Sequence, residues 1–347
     1  MKIVIDGFGG DNAPDEVIKG AALAAREYGT EIIITGDEKI LQSRLKALQP
    51  STVNRQLSIV NCQLSTVNAS GVIQVEDNPL EIRTTKAGTS MGVAFDLVKT
   101  GQADAIVSAG STAALMVGGS MVIGRIKGVK RPALSPIMPG IAPGGTPTPS
   151  NLPFNYILLD GGANLECRPE MLLQFGIMGS IYMNKVAGVL KPRVGLLNIG
   201  TEEKKGRELE QETYKLLKNA PLNFIGNVEA RDVPLGACDV VVTDGFTGNL
   251  YLKAVEGMGV FMKQSLKQLF GKNAATKVGY LFAKSGVQDI SRKTDYREVG
   301  GSPLLGTAKP VIKAHGSSDA KAFKNAIRQA AEFVKSNAIN EIEQALV

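Results

Sequence analysis

Tryptophan is absent from these 347 residues, histidine occurs once, at His315, and cysteine three times, at Cys62, Cys167 and Cys238. A single imidazole excludes a three-histidine zinc site and the HExxH helix, so any metal would have to be held by carboxylates. An odd number of thiols with no CxxC spacing argues against a disulfide framework and fits a reducing cytoplasm, with the cysteines as small core residues. Aromatic residues make up only 5% of the chain, and 39 Lys and Arg against 33 Asp and Glu leave a net charge of +6. That mild excess favours acidic partners and gives little support to nucleic acid. The start, Met1 to Asp6, has three apolar residues before an acid, so it reads as a buried strand and not as a signal peptide. Ala105–Gly124 is uncharged over twenty residues, but Ser108, Gly110, Ser111, Thr112, Gly118, Gly119 and Ser120 break or polarise it. Strand, turn and buried helix fit that stretch better than a membrane span.

Two nucleotide signatures are missing too. Gly7-Phe8-Gly9 is followed by Asn12 where a dinucleotide fingerprint needs its third glycine, and GxxxxGK[ST] does not occur.

What is present is a globular composition, 44% hydrophobic and 21% charged, and an alternation of short apolar runs with longer helical patterns. This predicts an α/β fold with a mostly parallel sheet and helices on both faces. Strands are expected at Lys2–Asp6, Glu31–Thr35, Leu57–Asn61, Ala105–Ser108, Tyr156–Leu159, Val194–Ile199, Val240–Thr243 and Val311–Ala314. Helices are expected over Pro14–Tyr28, stopping at Gly29, over Glu38–Leu48, and through a closing stripe of Phe323, Ile327, Ala330 and Val334. Pro139–Pro153, with five prolines and three glycines, is expected to be loop. Residues 1–347 are read as one domain, or as two sub-lobes meeting at 139–153. Phe282–Pro303 reads as a polar connection to the last strand.

Six strand ends run into small-residue loops: Asp6–Asp11, Ser108–Thr112, Asp160–Asn164, Asn198–Glu202, Thr243–Asn249 and Ala314–Asp319. In a parallel sheet such ends share one edge, where α/β proteins bind ligands. Glycines let backbone approach a ligand, and capped helix N-termini offer N–H groups to an anion. One such loop alone is an ordinary tight turn, but six together predict a phosphate-handling crevice. Lys204 and Lys205 follow a strand end directly, either as a solvated pair or as a cation turned towards substrate. His315 is open to both a structural and a ligand-binding reading.

At these loops the chain resembles the phosphate acyltransferases of bacterial phospholipid synthesis, the PlsX family. The resemblance covers nearly the whole chain. It is carried by Asp6–Pro14, Gly124–Gly128, Leu158–Glu170, Val194–Gly206, Val241–Asn249 and above all by Asn223–Asp232 and Ala314–Asp319. Asn12 stands where the family usually has His, Ser111 where it has Asn and Ala113 where it has Gly, and the Pro-rich insert before Tyr156 is longer than usual.

The resemblance implies transfer of a long acyl group from acyl-carrier protein to orthophosphate, making an acyl phosphate that a downstream acyl-phosphate:glycerol-3-phosphate acyltransferase consumes. It also implies a fold like that of phosphotransacetylase and isocitrate dehydrogenase, a homodimer, peripheral attachment to the inner face of the membrane, and no metal or organic cofactor. On that chemistry Lys205, Asp244, Asn249 and His315 are the expected catalytic residues. Phosphate binding is expected from Asp6, Gly9, Gly10, Gly110, Ser111, Thr112, Asn164, Thr201, Lys204, Gly316 and Ser317. The stretch Tyr251–Phe270 carries a stripe of Val255, Met258, Met262, Leu266 and Leu269, widened by Val260, Phe261 and Phe270 and flanked by lysines. Core or dimer packing explains it, and so does a membrane surface met by residues 258–282. The competing readings are a phosphotransacetylase-like enzyme acting on acyl-CoA, a non-catalytic phosphate or acyl-phosphate sensor, and a metal-dependent hydroxyacid dehydrogenase.

Overall fold

The computed structural model describes residues 1–48, 63–141, 155–293 and 295–347. Its strands are β1 Lys2–Asp6, β2 Glu31–Gly36, β3 Leu64–Asn68, β4 Ala105–Ser108, β5 Ala133–Leu134, β6 Ile137–Pro139, β7 Asn155–Leu159, β8 Val194–Asn198, β9 Phe224–Glu229, β10 Val240–Val242, β11 Gly301–Leu305 and β12 Val311–Ala314. The helices are α1 Asp15–Tyr28, α2 Glu38–Ala47, α3 Ser90–Lys99, α4 Thr112–Gly118, α5 Pro169–Lys185, α6 Glu208–Lys218, α7 Gly245–Gly271, α8 Ala274–Lys293, α9 Tyr296–Val299, α10 Ala320–Lys335 and α11 Ala338–Leu346.

The runs Ile3–Ile5, Ile32–Ile34 and Val240–Val242 are buried on both faces, as strands covered by helices on both sides must be. Pairing is parallel apart from the antiparallel contacts of β11 with β12 and β5, and of β6 with β7. The strands divide between two sheets, in the orders β3-β2-β1-β4-β12-β11-β5 and β6-β7-β10-β8-β9. One apolar cluster includes Ile3, Ile5 and Ile312 of the first sheet and Ile157, Leu159 and Val240 of the second, so the sheets share core. The chain passes from one to the other between β5 and β6. There Leu134 donates its N–H to Asp160 Oδ1 at 3.0 Å and accepts from the Gly161 N–H at 2.7 Å, tying the edge of the first sheet to the end of β7.

Local chemistry sets the helix ends. Ser111, Asp244 and Asp319 cap α4, α7 and α10 by accepting from Ala114, Thr247 and Ala322 N–H. Gly29, at φ 61°, closes α1. Phe323, Ile327 and Ala330 of the closing stripe are fully buried. Helix α10 approaches α1 so closely that a Cβ on Gly20 would lie 2.7 Å from the Cβ of Phe323.

Three expectations change. The helix expected over Tyr251–Phe270 lies within the longer α7. Phe282–Pro303 is not a connection: it holds the end of α8, all of α9 and the start of β11. Its polarity misleads because an exposed helix is polar for the same reason a loop is. Pro139 closes β6, while the rest of the proline-rich stretch from 142 onward, the strand expected at Leu57–Asn61, and Cys62 all fall outside the described residues.

Past Tyr251, α7 has no buried residue. Phe270 packs on Tyr280 with ring centroids 5.2 Å apart, so α7 and α8 form a helical hairpin. It exposes Met258, Val260, Phe261, Leu281 and Phe282. No helix among the described residues is long and apolar enough to cross a membrane.

Candidate active site

The six strand-end loops fall into two sets of three. Those after β1, β4 and β12 adjoin in the first sheet, and those after β7, β10 and β8 adjoin in the second.

At the first edge, parallel register places Lys313 beside Ser108, and Ser108 one step beyond the pair Ile5 and Val107. Asp6, Ser108 and Lys313 therefore form a polar row across three neighbouring strands. They occupy the face that Val4, Ile106 and Val311 fill with apolar side chains lower down. Ser108 Oγ donates to Asp6 Oδ2 at 2.7 Å and accepts from Gly110 N–H at 3.0 Å. Burial pushes the Asp6 carboxyl up from the ordinary range, while the hydroxyls of Ser90 and Ser108 draw it back. Lys313 Nζ donates to the Ala109 carbonyl at 3.1 Å and to that of Ala314. Burial lowers its pKa to about 8, against the pull of Asp6 and Asp11.

The loops above this row close on backbone. A Cβ on Gly9 would stand 2.4 Å from Asp6 Oδ2 and 2.7 Å from Gly110 N, and Gly10, at φ 99°, faces Ala109 and the Gly316 carbonyl. Asp11 N–H donates to that carbonyl at 2.9 Å. His315 is exposed. Its Nδ1 lies 2.9 Å from Ser317 Oγ and 3.3 Å from Ser317 N. Burial of the ring lowers its pKa, with Lys313 and Lys253 adding to the effect. Ser111 is buried as a cap and Thr112 is exposed beside it.

At the second edge, Asp160 is buried and accepts from the N–H groups of Leu134, Gly162, Ala163 and Asn164 and from Asn164 Nδ2. Burial raises its pKa and these donors lower it. Asn164 also donates to Pro132 O at 2.8 Å, so its amide nitrogen braces the loop. Asp244 caps α7, and its Oδ2 pairs with Arg207, which also clasps Glu210. Those two carboxylates, Glu210 first, hold the guanidinium above its ordinary pKa. Asn249 is exposed, with Nδ2 over the face of Gly162. Thr201, Lys204 and Lys205 are all exposed; the Lys205 stem lies against Gly200, and its carbonyl accepts from Asn198 Nδ2 at 3.0 Å.

Helix α7 links the two edges. It begins at Asp244 on the second, and in its third turn Lys253 and Glu256 come near enough for their charges to act on His315 of the first. Of the expected residues, the structure brings Asp6, Gly9, Gly10, Gly110, Ser111, Gly316 and Ser317 together at one edge and Asn164, Lys205, Asp244 and Asn249 at the other. Sequence reasoning passed over Lys313 and Arg207. The signal for Lys313 was a charge inside the otherwise apolar Val311–Ala314; Arg207 stands three residues before Glu210, the spacing of a capping carboxylate at a helix start.

Comparison with known proteins agrees with this architecture. A phosphotransacetylase from Streptococcus pyogenes superimposes with a TM-score of 0.60 at 18% identity, over 97% of this chain and 94% of that one. In sequence, the chain is 46% identical over 347 residues to a phosphate acyltransferase of Clostridium acetobutylicum, covering 100% of this chain and 99% of that protein. It is 44% identical over 353 residues to one from Caldanaerobacter subterraneus subsp. tengcongensis, covering 100% and 97%. The family model described as fatty acid synthesis protein matches residues 1–341, and the chain belongs to that family.

Proposed function

We propose that the protein is a phosphate acyltransferase that moves a long-chain acyl group from acyl-carrier protein to orthophosphate. The observation that carries this reading is the first edge, where the loops after β1, β4 and β12 meet through Gly9, Gly10, Gly110 and Gly316 around buried polar side chains. Such an edge accepts a small oxyanion through backbone N–H groups. Full-length relatives named phosphate acyltransferase support the same reaction.

In the reaction a phosphate oxygen attacks the thioester carbonyl, the C–O bond forms, the C–S bond breaks, and the carrier thiolate leaves and takes up a proton. A thiolate is a good leaving group, so catalysis rests on placing phosphate against the carbonyl and stabilising the tetrahedral oxyanion. Placement contributes up to about 7–11 kcal/mol in favourable systems, and a single oriented donor roughly 3–4 kcal/mol. The Gly316 amide and the His315 ring are the groups the first edge offers, while the Gly110 amide, bonded to Ser108, shapes the loop. Lys204 and Lys205, exposed at the second, supply positive potential towards an acidic carrier. The acyl phosphate would pass to an acyl-phosphate:glycerol-3-phosphate acyltransferase.

The α7–α8 hairpin supports two further parts of the proposal, a homodimer and peripheral contact with the inner membrane. Met258, Val260, Phe261, Leu281 and Phe282 are exposed among the described residues, and Lys263, Lys267 and Lys272 lie along the same helix pair.

The test is incubation of the purified protein with palmitoyl-acyl-carrier protein, with and without inorganic phosphate, while free thiol is measured. Phosphate-dependent release is expected. Equal release without phosphate identifies a thioesterase, and release only from acetyl-CoA identifies a phosphotransacetylase.

A further inference from the structure

We propose that Lys313 is the cation that receives the phosphate at the edge formed by β1, β4 and β12. The proposal rests on the reading that this edge takes up orthophosphate.

An ammonium drawn out of water needs an anion beside it. Lys313 is half-buried, yet among the described residues it forms no ion pair. Its Nζ contacts are the carbonyls of Ala109 and Ala314, which satisfy protons without neutralising the charge. Asp6 is turned to Ser108 and is itself biased by burial towards its neutral form; Asp11, on the loop after β1, is exposed. Both act on the lysine only through space.

Above the ammonium the wall is backbone. Gly10 lies so close to Ala109 and Gly316 that a Cβ would stand 2.8 Å from the Ala109 Cβ and 3.0 Å from the Gly316 oxygen. A small anion approaching here meets glycine backbone and a half-buried ammonium, with the Asp11 carboxylate 3.5 Å from where a Cβ on Gly316 would stand. Lys204 and Lys205 are in water and provide no such desolvated charge.

Lys313 titrates near 8 because burial disfavours its charged form. The charged groups facing it are Asp6 from β1 and Asp11 from the following loop, with His315 next along its own chain, itself under the influence of Lys253 and Glu256 from α7. A bound phosphate dianion adds a negative charge to this set and moves the lysine titration upward.

Lys313→Met should raise the KM for phosphate by roughly 10- to 100-fold, the range for a lost hydrogen bond to a charged group, with little change in the KM for acyl-carrier protein. Lys313→Arg should recover part of the loss. In the wild-type enzyme the phosphate KM should climb above about pH 8, and in Lys313→Arg it should stay level through that range. An unchanged phosphate KM in a folded Lys313→Met overturns the assignment. If that variant does not fold, the wild-type protein labelled with 13C at lysine Cε decides by NMR. The low-titrating resonance should shift to higher pH when millimolar inorganic phosphate is added, and one that titrates unchanged overturns the proposal. Thiol release that needs no phosphate defeats the acyl-transfer reading instead and leaves the titration result standing.

Discussion

Ser108 reaches across from β4 and donates its hydroxyl to the buried carboxylate of Asp6 on β1 at 2.7 Å, while the same oxygen accepts from the Gly110 amide. One hydroxyl thus fixes the last side chain of β1 and the direction of the loop after β4. The glycines around the pair exist for steric reasons: any side chain at Gly9 would displace Asp6 or Gly110.

Burial without a contacting cation sets the Asp6 carboxyl above its unfolded value. The folded chain then binds more protons than the unfolded chain across the interval between those two values, so this group weakens the fold as pH rises through it. Asp6→Asn should therefore match or exceed the wild type in thermal midpoint at neutral pH. The gap should widen upward from pH 4, while thiol release falls. Differential scanning calorimetry against pH checks this, and a midpoint that drops at pH 7 would make the ionised carboxylate a net stabiliser.

Asp244 is both the cap of α7 and the partner of Arg207. Arg207→Ala leaves that buried carboxylate without its cation and should cost roughly 1–3 kcal/mol in urea unfolding. Asp244→Asn keeps an acceptor for Thr247 N–H and should cost less in stability than in turnover. Combining the two should cost less than the sum, since the orphaned charge is gone. Strict additivity would show that the pair carries no coupling.

Lys204 and Lys205 stand in water at the end of β8, so alanine at either should change stability by no more than about 0.5 kcal/mol. Lys205, folded against Gly200 at the strand edge, should matter more to acyl transfer than Lys204. Steady-state rates of the two variants, compared at low and high salt, distinguish a steering charge from one without effect.

On the hairpin, Phe270 is the wrong residue with which to probe lipid, because it packs inside against Tyr280. Phe261 and Phe282 are 64% and 86% exposed and are the better pair. Replacing both with Ser should reduce co-sedimentation with anionic vesicles and leave thiol release in solution nearly unchanged. A variant that still binds vesicles but runs as a monomer by light scattering would make the hairpin a dimer element.

Period and punctuation alone determined much of this protein. Runs of Ile and Val at Ile3–Ile5 and Val240–Val242 can only be strands covered on both sides, and Phe323, Ile327 and Ala330 recur at the spacing of a helix face. The glycine-rich strand ends were legible for the same local reason, since tight βα turns need those residues. Which of them would meet was not, because adjacency depends on strand order, and β1, β4 and β12 become neighbours only through contacts more than a hundred residues apart. Tertiary structure also decided which charges are withdrawn from water. In sequence, Lys204-Lys205 draws the eye and Lys313 hides in a strand. In the fold the first pair is solvated and the other is half-buried, because a side chain's electrostatic worth is set by what surrounds it and not by its neighbours along the chain.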